Sequence, residues 1–324
     1  MYQNLCDDTL KIGYLSTVYH TSFLLQGPGF LEKRKINAKW TLYPSGPDII
    51  SALKKGEADI CYIGLPPAII GISQGLSLKC IAGGHVEGTV IISDPKKKIL
   101  SECSGIKEFF MQFSGSAIGT PPKGSIHDVI VCHILSRCGI LDVEVKNYAW
   151  ADFLSDAINC GEISAAAGTP ALVVCSKRYG NVRLAVPPDS LWSFNPSYGI
   201  VAMTDIISSK KEILRRFLSA HEEACEAIRK NPSACAEMVS KNSGMFDEDF
   251  VKEAYNISPK YCASLPPEYI KSTMKFADTL YSLGYIKEKV PENLIFDTSL
   301  IDSIHKEKHH YNSPVSFKDE SESK

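Results

Sequence analysis

The chain has 324 residues, of which 44% are hydrophobic and 22% charged, a composition typical of a globular protein with a sizeable core. Its formal net charge of −2 and the lack of a basic stripe argue against nucleic-acid binding. It contains no run of about 18 apolar residues, so no membrane-spanning helix is expected, and its length is typical of two domains.

Short apolar runs alternate with amphipathic runs over the first hundred residues. Strands are predicted at 10–16, 36–44, 58–64 and 78–84, and helices at 21–35, 47–55 and 67–74. The second helix has Pro47 in its first turn and Gly56 just past its end, which is the usual placement of these residues. Strand–helix alternation with short loops predicts a doubly wound, mainly parallel sheet.

The same alternation repeats between about residues 104 and 200. Helices are predicted at 105–112, 125–138 and 151–159, and strands at 116–119, 143–149, 163–170 and 182–187. The last third is predicted to be helical, with a helix opened by a capping box of Ser209 and Glu212, one that starts at Pro232, and others at 247–256 and 266–283. The last twenty residues are polar and are expected to be disordered.

Two extended segments, 88–94 and 197–205, are predicted to cross between two lobes and to form a hinge. We therefore expect an α/β protein with two doubly wound sheets, a two-strand hinge and a helical C-terminal part. The first lobe would comprise residues 8–90 and 203–300, and the second lobe residues 91–202. Residues 303–324 would form a polar tail.

Three predicted strands end in the pattern Gly-x-Pro, at 64–66, 119–121 and 168–170. In open α/β sheets, ligands bind outside the carboxyl ends of the strands, and a helix N-terminus favours a negative group there. Glycine and proline are also the ordinary residues of a strand–helix turn, so the pattern alone leaves both interpretations open. Because Ser125 adds a hydroxyl and Lys123 adds a charge, we interpret IGTPPKGSIHD (118–128) as an anion-binding corner of a cleft.

Four stretches resemble the periplasmic-binding-protein type II fold, and within it the nitrate/sulfonate/taurine and thiamine-pyrimidine-synthase-like branch. They are KIGYLSTVYHTSFLL (11–25), YPSGPDIISALKKGEADICYIGLPPAI (43–69), GSIHDVIVCHILSRCGILDVEVKNY (124–148) and DIISSKKEILRRFLSAHEEACEAIRKNPSA (205–234). The most specific part is S-G-x-D-x-x-x-A-L-x-x-G-E-A-D-I, from Ser45 to Ile60. The resemblance covers about residues 10–290, and the chain looks most like intracellular fungal and bacterial members of the branch.

The resemblance implies a ligand between the lobes, held by the loops that follow the strands. By position it implies these contact residues: Ser16, Thr17, Tyr19, His20, Gly46, Leu65, Pro66, His85, Glu87, Thr120, Gly124, Ser125, Trp150, Gly168, Thr169 and Tyr198. The thiamine pyrimidine synthases carry an iron-binding cluster, C-C-C-F-C, whereas no two cysteines are adjacent here. Iron-dependent synthesis of the pyrimidine is therefore not expected.

The histidines outside these loops do not predict a metal site. His127 and His133 are six positions apart on one predicted helix, a spacing that does not bring them together, and we interpret them as core or surface residues. His305 and His309 have i, i+4 spacing, but in a disordered tail this spacing is incidental. We expect neither a metal nor another cofactor.

The pattern as a whole favours a small-molecule binding protein that captures an anionic or heteroaromatic metabolite by hinge closure. An enzyme of thiamine-pyrimidine or related cofactor metabolism, with His20 or His85 as acid–base groups, is one alternative. The eleven scattered cysteines and the absence of a signal-peptide pattern at the start favour the cytoplasm. If a leader preceded Met1, the second alternative would apply, a solute-binding component that partners an ABC-type transporter.

Overall fold

The computed structural model describes residues 9–313. The strands in this range are β1 Leu10–Leu15, β2 Ala38–Tyr43, β3 Ile60–Ile63, β4 Leu78–Val86, β5 Val90–Ser93, β6 Ala117–Thr120, β7 Glu144–Asn147, β8 Ala165–Gly168, β9 Arg183–Val186 and β10 Pro196–Met203. The helices are α1 Ser22–Leu25, α2 Gly46–Lys54, α3 Leu65–Ser73, α4 Ile106–Met111, α5 Ile126–Cys138, α6 Phe153–Asn159, α7 Pro170–Tyr179, α8 Thr204–Ser209, α9 Lys211–Lys230, α10 Pro232–Ser243, α11 Glu248–Ile257, α12 Pro267–Ser282, α13 Glu292–Ile295 and α14 Ser299–Ile304.

The strands form two five-stranded sheets with the same internal arrangement. The first sheet has the order β2-β1-β3-β10-β4 and the second has the order β7-β6-β8-β5-β9. In each sheet three neighbouring strands are parallel, and one strand that arrives from the other lobe enters antiparallel next to them. The predicted two-lobed α/β fold with two doubly wound sheets is therefore confirmed.

The lobes are joined by residues 87–89, between β4 and β5, and by residues 187–195, between β9 and β10. The second segment lies earlier than the sequence prediction of 197–205, because β10 pairs with β3 and β4 and belongs entirely to the first sheet. The two segments contact each other: Glu87 N donates to Asn195 O at 2.6 Å, and Phe194 N donates to Glu87 Oε1 at 2.8 Å. Together they form the hinge of the molecule.

Local sequence signals set several helix ends. The Ser125 hydroxyl accepts a hydrogen bond from Asp128 N at 3.3 Å at the start of α5, and Gly139 ends this helix in the left-handed conformation with φ 67°. The predicted helix 21–35 is wrong for most of its length, since α1 has only four residues. The predicted capping box is also wrong, because Ser209 ends α8 and α9 begins after Lys210.

The C-terminal helices cover the first sheet and also reach the second lobe, where α12 packs on α5 and α11 packs on α7. The chain continues in an ordered path after α14. Tyr311 is fully buried, and its hydroxyl lies 2.6 Å from Cys262 O and 2.9 Å from Ser264 O. The expected disorder of the tail is therefore wrong for residues 305–313, and residues 314–324 lie outside the described range. Over residues 9–313, the structure contains no helix with the length and apolarity needed to cross a membrane.

Candidate functional site

A small cavity of about 70 Å³ lies between the lobes, at the carboxyl ends of the parallel strands of both sheets. Each parallel strand contributes its following loop, as expected for a ligand site in this type of sheet. The lining residues are Leu15, Ser16, Thr17, Tyr19, His20, Pro44, Ser45, Gly46, Gly64, Pro67, Pro121, Ser125, Ile126, His127, Ala151, Thr169 and Ser197. A volume of this size is enough for roughly five water molecules, which is the size of a compact polar group.

Four helix N-termini converge on this cavity. The residues that precede α2, α3, α5 and α7 all line it, namely Ser45, Gly64, Ser125 and Thr169. Two of these helices belong to the first lobe and two belong to the second. Unpaired N–H groups and the helix dipole give each N-terminus a partial positive charge, which Asp48 and Asp128 in the first turns of α2 and α5 offset in part.

The lining contains no Lys, Arg, Asp or Glu among the described residues. The nearby carboxylate of Asp128 makes hydrogen bonds within the protein instead of lining the cavity. It lies within hydrogen-bond distance of three donors, which are Gly124 N at 2.8 Å, Asn147 Nδ2 at 2.9 Å and the Tyr285 hydroxyl at 2.6 Å. These contacts fix the turn before α5, where Gly124 has φ 84°, and they connect this turn to the segment after α12.

His20 is a buried, neutral side chain in the wall of the cavity. It is 2% exposed, and its ring centroid lies 4.0 Å from that of Tyr198. Burial, with smaller effects from His85 and His221, lowers the pKa of His20 well below its usual value. Its Nδ1 atom is buried and has no hydrogen-bond partner within residues 9–313. Because the ring lines the cavity and is held neutral by burial, His20 is suited to contact an uncharged or weakly hydrated part of a ligand.

His127 is the second histidine of the cavity, and burial lowers its pKa to about 4. Its Nδ1 lies 3.1 Å from Thr89 Oγ1, which in turn lies 3.0 Å from Asn195 Nδ2. The direction of the His127–Thr89 hydrogen bond depends on the histidine tautomer. In either tautomer, the nitrogen on the opposite side of the ring from Thr89 offers the ligand one donor or one acceptor.

The loop after β1 is fixed against the start of β10 by Tyr19. The Tyr19 hydroxyl lies 2.7 Å from Ser197 Oγ, and both residues line the cavity. Burial raises the pKa of Tyr19, so its hydroxyl stays protonated. Gly88 leaves room for this pair, because a Cβ at that position would overlap Ser197 Oγ and would lie 2.5 Å from the Tyr19 hydroxyl.

A second, larger cavity of about 440 Å³ adjoins the first and shares Ser16, Thr17, Ala151 and Thr169 with it. Its other lining residues are mainly apolar and aromatic: Leu42, Trp150, Asp152, Ala171, Leu172, Cys175, Tyr179, Met245, Phe246, Asp247 and Phe250. Burial raises the pKa of the Asp152 carboxyl. The inner cavity thus accepts a compact polar group, and the outer cavity accepts an apolar or aromatic one.

The structure brings half of the sequence-predicted site residues to these cavities. Those in the inner cavity are Ser16, Thr17, Tyr19, His20, Gly46, Ser125 and Thr169, and Trp150 lines the outer cavity. Those that line neither cavity are Leu65, Pro66, His85, Glu87, Thr120, Gly124, Gly168 and Tyr198. Lys123 also lies outside both cavities, with its Nζ 5.8 Å from the Tyr285 ring centroid.

Several of the residues that line neither cavity stabilise the structure around the inner cavity. His85 lies within β4, and its Nε2 is 2.6 Å from Ser258 O. The Glu87 carboxylate contacts Lys260, and Tyr198 is fully buried behind His20. Both His85 and Glu87 therefore hold the start of the hinge in place.

Sequence reasoning missed His127, which it assigned to the core or the surface. Its position two residues after Ser125, in the first turn of α5, was the available signal, since this helix was predicted to point at a ligand. Ser197 was also missed, because it lies on a strand that was assigned to the crossing between lobes.

This arrangement of two sheets, a double hinge and an interlobe cavity defines a binding protein of the periplasmic type II class. The chain belongs to the NMT1-like family, whose family model matches residues 4–241. A candidate binding protein from Brucella abortus is 24% identical to it over 238 residues, which cover 72% of this chain and 70% of the relative.

Solved structures show the same fold at low sequence identity. The alkanesulfonate-binding protein SsuA from Xanthomonas axonopodis pv. citri, bound to MOPS, aligns with a TM-score of 0.74 and 17% identity over 89% of this chain and 98% of its own. The periplasmic nitrate-binding protein NrtA from Synechocystis aligns with a TM-score of 0.75 and 13% identity over 92% of this chain and 88% of its own.

Proposed function

We propose that this protein binds a small metabolite with a compact polar end and an apolar or heteroaromatic body. The polar end occupies the inner cavity and the body occupies the outer one. The observation that carries the proposal is the convergence of four helix N-termini, two from each lobe, on a cavity walled by the neutral ring of His20. A ligand that contacts both lobes favours the closed arrangement by its higher affinity for it.

The chemistry of the inner cavity supports a weakly hydrated, charge-delocalised anion or an uncharged heteroaromatic edge. The cavity offers backbone N–H groups, hydroxyls and two neutral imidazoles but no cation in its lining. A strongly hydrated anion would lose its water without an opposite charge in contact, which is costly. The names of the similar structures support the anionic choice, since they refer to alkanesulfonate and nitrate binding.

The outer cavity supports an organic body on the ligand. Trp150, Phe246 and Phe250 present aromatic surface there, and aromatic faces pack well on planar rings. Substituted pyrimidines combine a polar end with such a body, and so do alkanesulfonates that carry a ring. We infer that these two classes bind more tightly than nitrate, which would fill only the inner cavity.

The test is a thermal-shift screen of nitrate, short alkanesulfonates, MOPS and substituted pyrimidines, followed by calorimetry on each compound that raises the melting temperature. A ligand present at about 100 times its Kd stabilises the folded protein by about 2.7 kcal/mol, which is a measurable shift. We expect His20→Gln to weaken binding about tenfold or more, because it removes a neutral imidazole from the wall.

The matched control is His133→Gln, since His133 packs against Trp192 at 5.0 Å outside both cavities. This variant is expected to bind as the wild type does. If no compound of either class raises the melting temperature, the proposed ligand class is wrong. If ligands bind equally well to His20→Gln and the wild type, the ligand does not occupy the inner cavity.

A further inference from the structure

A cysteine and two histidines converge at the C-terminal end of the described chain, outside both cavities. Cys262 lies in the loop between α11 and α12, while His305 and His310 follow α14. Cys262 Sγ lies 3.8 Å from His305 Nε2 and 3.8 Å from His310 Nδ1, and the three atoms all lie within 4.8 Å of one another. We propose that these three side chains form a zinc-binding site.

The two sulfur–nitrogen distances are close to those of tetrahedral zinc, and a small rotation of the histidine rings would bring their nitrogens, now within 4.8 Å, to the roughly 3.3 Å that zinc requires. Zn–S and Zn–N bonds of about 2.3 and 2.0–2.1 Å at tetrahedral angles place the sulfur and a nitrogen about 3.6 Å apart, close to the separations in the structure. Thiolate and imidazole are the ligands that zinc prefers. Three protein ligands leave a fourth position, and the His310 side chain is 26% exposed, which gives water access to that position.

Each histidine has a carboxylate near the ring nitrogen that does not face Cys262, as in many zinc sites. His305 Nδ1 lies 3.4 Å from Glu222 Oε1, and His310 Nε2 lies 3.6 Å from Glu307 Oε1. In each ring the nitrogen that faces Cys262 is the one that would bind the metal, and for His305 this would replace a 3.4 Å contact of Nε2 with Lys308 O. A carboxylate on the opposite nitrogen fixes the tautomer and increases the basicity of the ligand.

The backbone around Cys262 is held before any metal binds. Cys262 N donates to Gly84 O at 3.2 Å, and Cys262 O lies 2.6 Å from the hydroxyl of Tyr311. Residues on either side of the cysteine continue this pairing along β4, where Gly83 N donates to Ala263 O at 2.8 Å. A zinc ion here would fasten residues 305–311 to the loop that covers the edge of the first sheet.

The test is equilibrium dialysis of the full chain against zinc, with metal content measured by mass spectrometry, and absorption spectroscopy with cobalt(II) as a probe. We expect about one zinc per chain and a thiolate-to-cobalt charge-transfer band. Cys262→Ser is expected to abolish the band, and both Cys262→Ser and His310→Ala are expected to reduce zinc affinity at least about 100-fold.

Two further variants separate metal binding from folding. Glu307 is 71% exposed at its side chain, so Glu307→Gln should fold normally and weaken zinc binding about tenfold through His310. His309→Ala is the matched control, because His309 is next to the site but faces Glu268, and it should bind zinc as the wild type does. Retention of the charge-transfer band in a folded Cys262→Ser protein, or failure of the wild type to retain zinc, overturns the proposal.

Discussion

Acidification is expected to destabilise this protein through its buried histidines. Burial lowers the pKa of His85 to about 3 and the pKa values of His127 and His221 to about 4. In the unfolded chain a histidine has a pKa near 6.5. Between these values the unfolded state binds more protons than the folded state, so the free energy of unfolding falls as the pH falls below about 6.5. Above about pH 7 these groups do not make the free energy of unfolding depend on pH.

The size of the effect follows from the shifts. Each pH unit in this window removes about 1.4 kcal/mol per histidine, hence about 2 kcal/mol for each of the three by about pH 5. Their sum is roughly 6 kcal/mol, and His20 adds to it because burial also lowers its pKa. With an unfolding entropy of about 2.1 cal/mol/K per residue, the melting temperature would fall by roughly 9 °C.

Partial burial also lowers the pKa of His133 and His310, which add to the slope in this window, whereas His305 and Glu222 act outside it. Contacts with Cys262 and Glu222 raise the pKa of His305 to about 10, so its contribution changes only above about pH 6.5. Although burial opposes it, contact with His305 and Arg229 lowers the pKa of Glu222 to about 2, and its contribution is lost only below about pH 4.5. The slope between about pH 6.5 and pH 5 therefore reports mainly on the buried histidines.

The assay is urea unfolding at a series of pH values, where the slope of the unfolding free energy gives the protons taken up on unfolding. His127→Gln should reduce this uptake by about one proton. An unchanged melting temperature between about pH 7 and pH 5, or a His127 ring that titrates near pH 6.5 by NMR, would refute the reasoning.

Four substitutions test contacts around the inner cavity and between the lobes. Gly88→Ala should cost about 1–3 kcal/mol in urea unfolding, because its Cβ overlaps Ser197 Oγ, and a wild-type value would contradict the closeness of this contact. Asp128→Asn should cost about 2 kcal/mol by placing an amide N–H₂ among three donors, and more than Tyr285→Phe, at about 1 kcal/mol. Arg178→Ala removes the ion pairs of Arg178 with Asp247 and Glu253, whose side chains are 60% and 50% exposed. It should therefore cost less than about 1 kcal/mol of stability in urea unfolding. A larger loss would show that these pairs stabilise the fold.

The fold was predictable from the sequence because its elements carry local signals. The strand–helix alternation, the proline at the start of α2 and Gly139 at the end of α5 all act within a few residues. The pairing of β10 was not predictable in this way. Its apolar residues suit either sheet, and only the long-range contacts with β3 and β4 place it in the first lobe.

The candidate site shows the same difference between residues with a local sequence signal and residues placed by long-range contacts. The loops after β1 and before α5 were predicted to face the cleft, and they do. His85 and Glu87 were expected beyond the end of a strand at residue 84, but β4 continues to Val86, so His85 is a strand residue paired with Tyr198. The cluster at Cys262 had no local signal, since its two histidines lie more than 40 positions away and do not share a helix. Whether the protein resides in the cytoplasm stays a prediction.

The geometry of the hinge connects the cavity to the orientation of the lobes. Glu87 and Phe194, one in each crossing segment, have φ values of 62° and 54°, which is a costly conformation for residues with a side chain. His127 in the cavity contacts Thr89 of the first segment, and Thr89 contacts Asn195 of the second.

A ligand that engages His127 therefore acts on a side chain whose other ring nitrogen is held by both crossings. If the crossings change their backbone angles when the lobes separate, the Thr89–Asn195 contact changes with them, and so does the orientation of His127. The ligand would then have different affinities for the open and closed arrangements, which is the condition for binding to shift the equilibrium between them. Thr89→Val, which keeps the shape but removes the hydroxyl, should weaken ligand binding while leaving the cavity lining intact.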